Sequence, residues 1–273
     1  VKHFEVNKTN SGSVFKQWVK GINLAKSKYT WIAESDDVAH PKFLEKMIKY
    51  AEQKDDVGLV FCKSIEIDKN GEITSFFSKK YNSFENQIIK GQRDTAEYIL
   101  KRSLIKNVSS VLFNVTSFNY VNFEKLTTFK NIGDRFVYIS IGLYKNIYMH
   151  DEGLNFHRNH GNNTTTINSI NNKIYVDRLN LIDYLSPIIK DEYAKKILLL
   201  FYLNQLFKSL DSNFYKLNHI ILKKLFSDNY IQRKKYLTLR LLIFTHSLLK
   251  DNFPFRVRNI LKKKYLKIKP GRC

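Results

Sequence analysis

Along the first half of the chain the spacing of hydrophobic positions changes several times, and each change predicts an element. "HFEV" (residues 3–6) is a short β-prone run, closed by turn chemistry in "NKTNSGS". "SVFKQWVKGINLAKSKY" then places Val14, Trp18, Ile22 and Ala25, with Val19 at the flank, near helical spacing after a Ser11 or Ser13 cap. "YTWIA" is β-branched and aromatic and reads as a buried strand. "HPKFLEKMIKYAEQ" opens with Pro41 near its first turn and sets Phe43, Leu44, Met47, Ile48 and Ala51 on one face, which predicts a second helix. "VGLVFCKSIEI" is a further strand, turned by "DKNG". This β-α-β-α-β order predicts an α/β domain with a largely parallel sheet, the architecture in which ligands gather at the carboxyl ends of strands.

From Thr166 the pattern changes to long Leu/Ile/Lys/Tyr stretches with little Gly. "KKILLLFYLNQLFKSL", "FYKLNHIILKKLF", "YIQRKKYLTLRLLIFTHSLLK" and "FRVRNILKKKYLKIK" are amphipathic or strongly apolar helix candidates edged by Lys and Arg. Asn-rich "NHGNNTTTINSINN" (Asn159 to Asn172) reads as the linker before them. Two regions are therefore expected, an α/β domain over 1–165 and a basic α-helical region over 166–273.

Charge sharpens that division. Up to Thr165 there are 24 Lys+Arg against 18 Asp+Glu, and from Thr166 onward 22 against 7, so most of the net +21 lies in the helical region. Such helices can pack on one another with the charge outermost, or lay a basic face on an anionic bilayer. No run of about 18 apolar residues predicts a membrane span. Cys62 and Cys273 offer neither a disulfide framework nor zinc-ligand spacing, which favours a reducing, cytoplasmic compartment. A basic, aromatic-rich chain raises nucleic-acid binding. The basic residues are mostly lysines set between apolar positions at helical spacing, however, and no RNA- or DNA-binding signature accompanies them, so no nucleic-acid partner is expected.

Within this basic chain, "WIAESDD" places Glu34, Asp36 and Asp37 directly after a strand. Side chains two apart in an extended segment share a side, so Glu34 and Asp36 can face one crevice together. Two readings stand. The carboxylates suit a hard divalent cation, Mg²⁺ or Mn²⁺, bridging to a diphosphate; or the loop is solvated and Asp36 or Asp37, before "HPKF", caps the helix that this stretch opens.

These residues carry a resemblance. "NSGSVFKQWVKGINLAKSKYTWIAESDD" resembles the middle of a family 2 glycosyltransferase, in which a comparable turn, helix and strand lead into a D-x-D or D-x-D-D metal motif. "NVSSVLFN" (Asn107 to Asn114) resembles the start of the acceptor side of that family's pocket. "NIGDRFVYISIGLYKNIYMHDEGLNFHRNHGNNTT" resembles its [EG]-D-[WR] helix and "L-x-x-x-R-x-H" element, and the likeness runs over roughly residues 5 to 165.

The resemblance implies a GT-A fold, a Rossmann-like and mostly parallel sheet, and an inverting, Mn²⁺- or Mg²⁺-dependent transfer of sugar from a nucleotide-diphosphate donor to a glycan or lipid-linked acceptor. Asp36 would be the metal carboxylate. Glu34, in place of the family's first motif Asp, would face the donor, and Asp37 would support them or cap the helix. Asp134 matches the catalytic base, and Arg158 and His160 would lie near the pocket mouth on the donor side. Bland readings compete: Asp134 as an N-cap, His157, Arg158 and His160 as a mixed surface loop, Trp18 as core. The Lys/Asn/Ile-rich composition resembles that of a bacterium with AT-rich coding, and the family resemblance implies a part in surface polysaccharide or cell-envelope synthesis, with the chain cytoplasmic or peripheral at the inner membrane face. The family's opening strands, one ending in Pro-x-[YF]-N and one carrying a base-binding Asp, have no counterpart before Val1, so an amino-terminally truncated domain is expected. A catalytically silent GT-A-like scaffold that binds partners or membrane is the alternative.

Overall fold

Strand formation follows the β-branched and aromatic runs, and the chain's order across the sheet sets where the acidic loop falls. The computed structural model describes residues 3–76, 81, 84, 87–159, 173–211, 222, 223 and 226, with 173, 175 and 202–211 described as backbone only. The strands are β1 (Tyr29–Trp31), β2 (Val38–Ala39), β3 (Val57–Ile67), β4 (Ile73–Ser75), β5 (Ile88–Ile89), β6 (Val111–Asn114) and β7 (Asn146–Arg158). They form one sheet in the order β1-β6-β3-β7-β2, with β4 added to β3 and β5 to β7.

The sheet is mixed, which corrects the expected largely parallel one. Only β3 and β7 pair in parallel; β6 lies antiparallel between β1 and β3, and β2, β4 and β5 pair antiparallel with their neighbours. Two reversals across β6 return β1 to the direction of β3, so β1, β3 and β7 still run the same way and their carboxyl ends share one side. The β1–α2–β3 connection therefore keeps the expected α/β logic, while β6 enters between its two strands.

Helix α1 (Val14–Leu24) buries Trp18 and Ile22 of the expected stripe, with Phe15 buried in place of the exposed Val14. Helix α2 (Phe43–Glu52) buries Phe43, Met47 and Ala51 at a spacing of four and leaves Leu44 and Ile48 exposed. Those three pack on Val60, Cys62 and Leu112 of the sheet and on Leu154 of β7. On strand β3 a Cβ at Gly58 would meet Ile141 at 2.5 Å, which places the end of helix α5 (Gly133–Gly142) hard against the strand. Both faces of β3 are thus covered, which explains its nearly continuous apolar run.

Between these elements lie α3 (Gly91–Asp94), which runs on into a π-helical turn over Thr95–Lys101, and α4 (Phe123–Thr128). Gly71 of the "DKNG" turn has φ +92°, and the Asp68 carboxylate accepts the N–H groups of Asn70 and Glu72. "HFEV" is not a strand. Its neighbourhood is fixed instead by Lys20 on Glu5 and Asn7, and by Asn7 on Gln17, all against α1.

The chain divides into two compact units, Val1–Asp177 and Arg178–Cys273. Helix α6 (Lys173–Leu185) crosses the division in sequence, and α7 (Glu192–Asp211) belongs to the second unit. Asp191 starts α7, its carboxylate accepting the Ala194 N–H at 2.8 Å. "KKILLLFYLNQLFKSL" lies within α7. The other three basic helix candidates, apart from single residues of "FYKLNHIILKKLF", and residues 160–172 of the expected linker lie outside the described residues.

Candidate functional site

Strands β1 and β2 are neighbours in sequence but stand at opposite ends of the sheet order. The segment between them, residues 32–37, must therefore cross the carboxyl ends of the strands. It is pinned as it goes. The Trp31 indole N–H donates to the Ser109 carbonyl at 2.9 Å, the Glu34 N–H to the Ser109 hydroxyl at 3.0 Å, and β2 then pairs with Asn155 and Phe156 of β7. The acidic cluster consequently sits where open α/β sheets bind ligands.

Asp37 ends the crossing in a buried polar network. Its Oδ1 accepts the Arg158 N–H at 3.0 Å and lies 3.2 Å from His157 Nδ1, and its Oδ2 takes the Asn107 amide. Asn107 in turn accepts from Ser64 and Asn155, both buried. The Asp37 side chain is only 3% exposed. Burial alone would push its carboxyl up; hydrogen bonds from His157, the Arg158 N–H and Ser109 outweigh that and hold it below the ordinary range. Asp37 does not cap α2, whose N-cap is Lys42. Its partners are 70 and more positions away in sequence.

Glu34, three residues earlier, points the other way in both senses. It lines a cleft of about 1110 Å³ bounded by the turn before α1, residues 103–108, the start of α5 and His157. Burial first, then the charges of Asp37, Asp134 and Asp36, push its carboxyl up to about 7, against a smaller pull from His157. The same cleft receives Asp134. Asp36 is exposed and is not part of the lining, so the structure does not bring Glu34 and Asp36 together in one crevice as their spacing predicted. Arg158, expected at the pocket mouth, spends its guanidinium on backbone carbonyls, those of Asp36 at 2.9 Å, Asp68 at 2.8 Å and Lys69 at 3.2 Å. It braces the acidic loop against the turn after β3. His160 lies outside the described residues.

Asp134 is positioned from two sides. The N-cap of α5 is Ile132, so Asp134 stands inside the first turn and is not the cap, correcting that reading. The segment before it is held by Asp177, 2% exposed, whose Oδ2 accepts the N–H groups of Lys130 at 2.8 Å, Asn131 at 2.6 Å and Ile132 at 3.4 Å. Gly133 allows the Phe15 ring of α1 to lie directly on the helix start, since a Cβ there would come within 2.6 Å of it. Burial pushes the Asp134 carboxyl up, with the Arg135 charge and backbone N–H pulling it back.

Three wall residues were not singled out as site residues from the sequence. Arg135 donates to the Ser103 hydroxyl, and Ser103 follows the π-helical turn with a left-handed φ of 50°. Tyr138 is 2% exposed, stacks beside Phe113 at 6.2 Å, and its hydroxyl has no hydrogen-bond partner. Once "GDRFVY" is helical, Tyr138 falls four residues from Asp134 on one face, and this is the signal that could have found it. Trp18 is buried core that also reaches the wall.

Comparison with known proteins agrees with the geometry. Residues 3–106 match the family described as Glycosyl transferase family 2. A stretch of 66 residues is 41% identical to an uncharacterized glycosyltransferase of Methanocaldococcus jannaschii, covering 24% of this chain and 23% of that protein. The match spans the acidic loop, and Asp134 and Arg158 lie beyond it. Residues 3–106 of this chain are a glycosyl transferase family 2 domain.

Proposed function

We propose that the chain is an inverting glycosyltransferase of GT-A fold, moving a sugar from a nucleotide-diphosphate donor to a glycan or lipid-linked acceptor in bacterial surface polysaccharide synthesis. One observation carries the reading: Glu34, within the family 2 match, and Asp134, beyond it, reach one cleft at the carboxyl ends of the sheet.

The donor side is assigned to Glu34 and Asp36. Their carboxylate oxygens are hard donors suited to Mn²⁺ or Mg²⁺, and the Asp36 side chain is exposed where a diphosphate could share the ion. No group of three or more His, Cys, Asp or Glu side chains is gathered for a metal among the described residues. Asp36, with Glu34 beside it, would therefore hold the ion together with substrate oxygens. When bound, it would neutralise charge on the leaving diphosphate. Asp37 and Arg158 keep the loop in place, Asp37 by its network and Arg158 by its grip on backbone carbonyls.

At the opposite wall Asp134 takes the proton from an acceptor hydroxyl. The acceptor oxygen forms its bond to the anomeric carbon as the bond from that carbon to the diphosphate oxygen breaks. The nucleoside diphosphate leaves with that electron pair, and attack from the far face inverts the centre. A carboxyl pushed up by burial is a stronger base than a solvated one while it is still ionised. The basic region over 166–273 is read as a helical appendage in peripheral contact with an anionic membrane on the cytoplasmic side. No helix among the described residues is long and apolar enough to cross a membrane.

The test is slow hydrolysis of UDP- and GDP-sugars in Mn²⁺ buffer, read as release of the nucleoside diphosphate. Asp134→Asn should lower turnover by about 10²- to 10⁴-fold while donor binding stays within about threefold. Turnover equal to wild type in that variant would overturn the assignment of Asp134, and no turnover of any donor by wild type would favour a silent scaffold.

A further inference from the structure

Arg135 is the least explained charge on the cleft wall. It is half-buried, its guanidinium donates to the Ser103 hydroxyl, and it makes no ion pair with a carboxylate among the described residues, although Asp134 is its neighbour in sequence. A guanidinium offers five donors in a planar fork, and one neutral acceptor answers few of them, which leaves the rest of the fork to the water of the cleft. Its one partner is held at some cost. Ser103 has a left-handed backbone, a conformation uncommon for residues with a Cβ, at the exit of the π-helical turn. That turn is anchored by Glu97, bonded to both Lys101 and Arg102. One turn of α5 further on, Tyr138 holds a second unanswered donor against the same cleft, a hydroxyl kept protonated by burial and by the negative charges of Asp134 and Glu34. Lys130 adds an exposed positive charge to the lining.

We infer that the acceptor taken by this cleft carries an oxyanion, a phosphate or a carboxylate, which Arg135 grips beside Asp134. The word acceptor rests on the glycosyltransferase reading; the anion site itself does not. A planar oxyanion or a phosphate face matches the guanidinium fork and completes its hydrogen bonds. It also explains why a cation is placed next to the carboxylate that is to receive a proton: an anionic substrate would otherwise be repelled from Asp134. Specificity then follows from the remaining donors, because an uncharged acceptor covering Arg135 would displace the water on them and leave the guanidinium only the Ser103 hydroxyl.

The experiment keeps metal out, so that the donor side is silent. Isotope-labelled protein in chelator-containing buffer is titrated with inorganic phosphate and, separately, with glucuronate, following the Arg135 side-chain N–H and the amides of α5 by nuclear magnetic resonance. Saturable shifts are expected with at least one of the two anions, and the preferred one names the source. Affinity should fall at least tenfold in Arg135→Gln, less in Arg135→Lys, and by a smaller factor in Ser103→Ala, while Asp36→Ala matches wild type. A dispersed spectrum establishes that each variant is folded, and Arg135→Lys keeps the test valid should the Gln variant unfold. Saturation by neither anion, or equal binding by wild type and both folded Arg135 variants, overturns the inference. Metal-dependent nucleoside diphosphate binding is scored separately through Asp36. Anion binding without diphosphate binding would retain the oxyanion site and reject the transferase reading.

Discussion

Asp37 and Asp134 are both carboxylates drawn back from water at the carboxyl side of the sheet, and their surroundings are opposite. Around Asp37 the donors converge: Asn107, His157 and the Arg158 N–H meet its two oxygens, and Ser64 and Asn155 donate to Asn107 behind, although the buried Asn155 Oδ1 has no hydrogen-bond partner. Around Asp134 the answers are missing, with Arg135 on a lone hydroxyl and Tyr138 on none. The electrostatics follow the same division, since hydrogen bonds hold the Asp37 carboxyl down while burial pushes the Asp134 carboxyl up. A satisfied network fixes structure; an unsatisfied one is left for a ligand. Glu34 belongs with Asp134, although only two residues separate it from Asp37.

The comparison is broken most severely at the network. Asp37→Ala leaves three donors unanswered in a site with almost no solvent, and it should destabilise the domain by about 3–5 kcal/mol, read from urea denaturation at pH 7. Sign matters for its pH dependence. A depressed carboxyl stabilises the fold above its unfolded value, and that stability is lost as pH falls through the folded one, so wild type and Asp37→Asn should converge in stability on acidification below the ordinary Asp range.

Gly133→Ala tests the seat of Asp134. The new methyl group would lie 2.6 Å from the Phe15 ring, so a loss of about 1–3 kcal/mol is expected, relieved by the second change Phe15→Leu. An additive double variant would mean that the helix start is not held by this contact.

Glu34 predicts an effect of the opposite sign to Asp37. Its carboxyl is raised from 4.5 to about 7, so the folded state keeps a proton that the unfolded state has released, and stability falls as pH rises across that window. Glu34→Gln should match wild type near pH 4 and melt higher at pH 8, by an amount on the order of 1–2 kcal/mol. A lower melting temperature at pH 8 would place Glu34 in the structural network with Asp37.

Local pattern made part of this legible. Trp18 and Ile22, the Phe43–Met47–Ala51 stripe, the β3 run and the "DKNG" turn are set by neighbours in sequence, and the sequence places the acidic cluster at a strand end for the same reason. Three features depend on distant partners and were not readable. Strand β6 enters between β1 and β3, β2 is two residues long and exists because β7 pairs with it, and the Asp37 network joins groups far apart in the chain. Arg158 shows the limit of carrying a role over from a motif. A place near the pocket mouth was expected for it, but its guanidinium is turned to three carbonyls that no spacing announces.

The most direct test of the central claim is calorimetric titration of the full chain with UDP and with GDP, each with and without Mn²⁺, on wild type and Asp36→Ala. The account predicts binding of at least one nucleotide that requires the metal and falls at least tenfold in the variant. Nucleotide binding that is indifferent to both Mn²⁺ and Asp36 would contradict it.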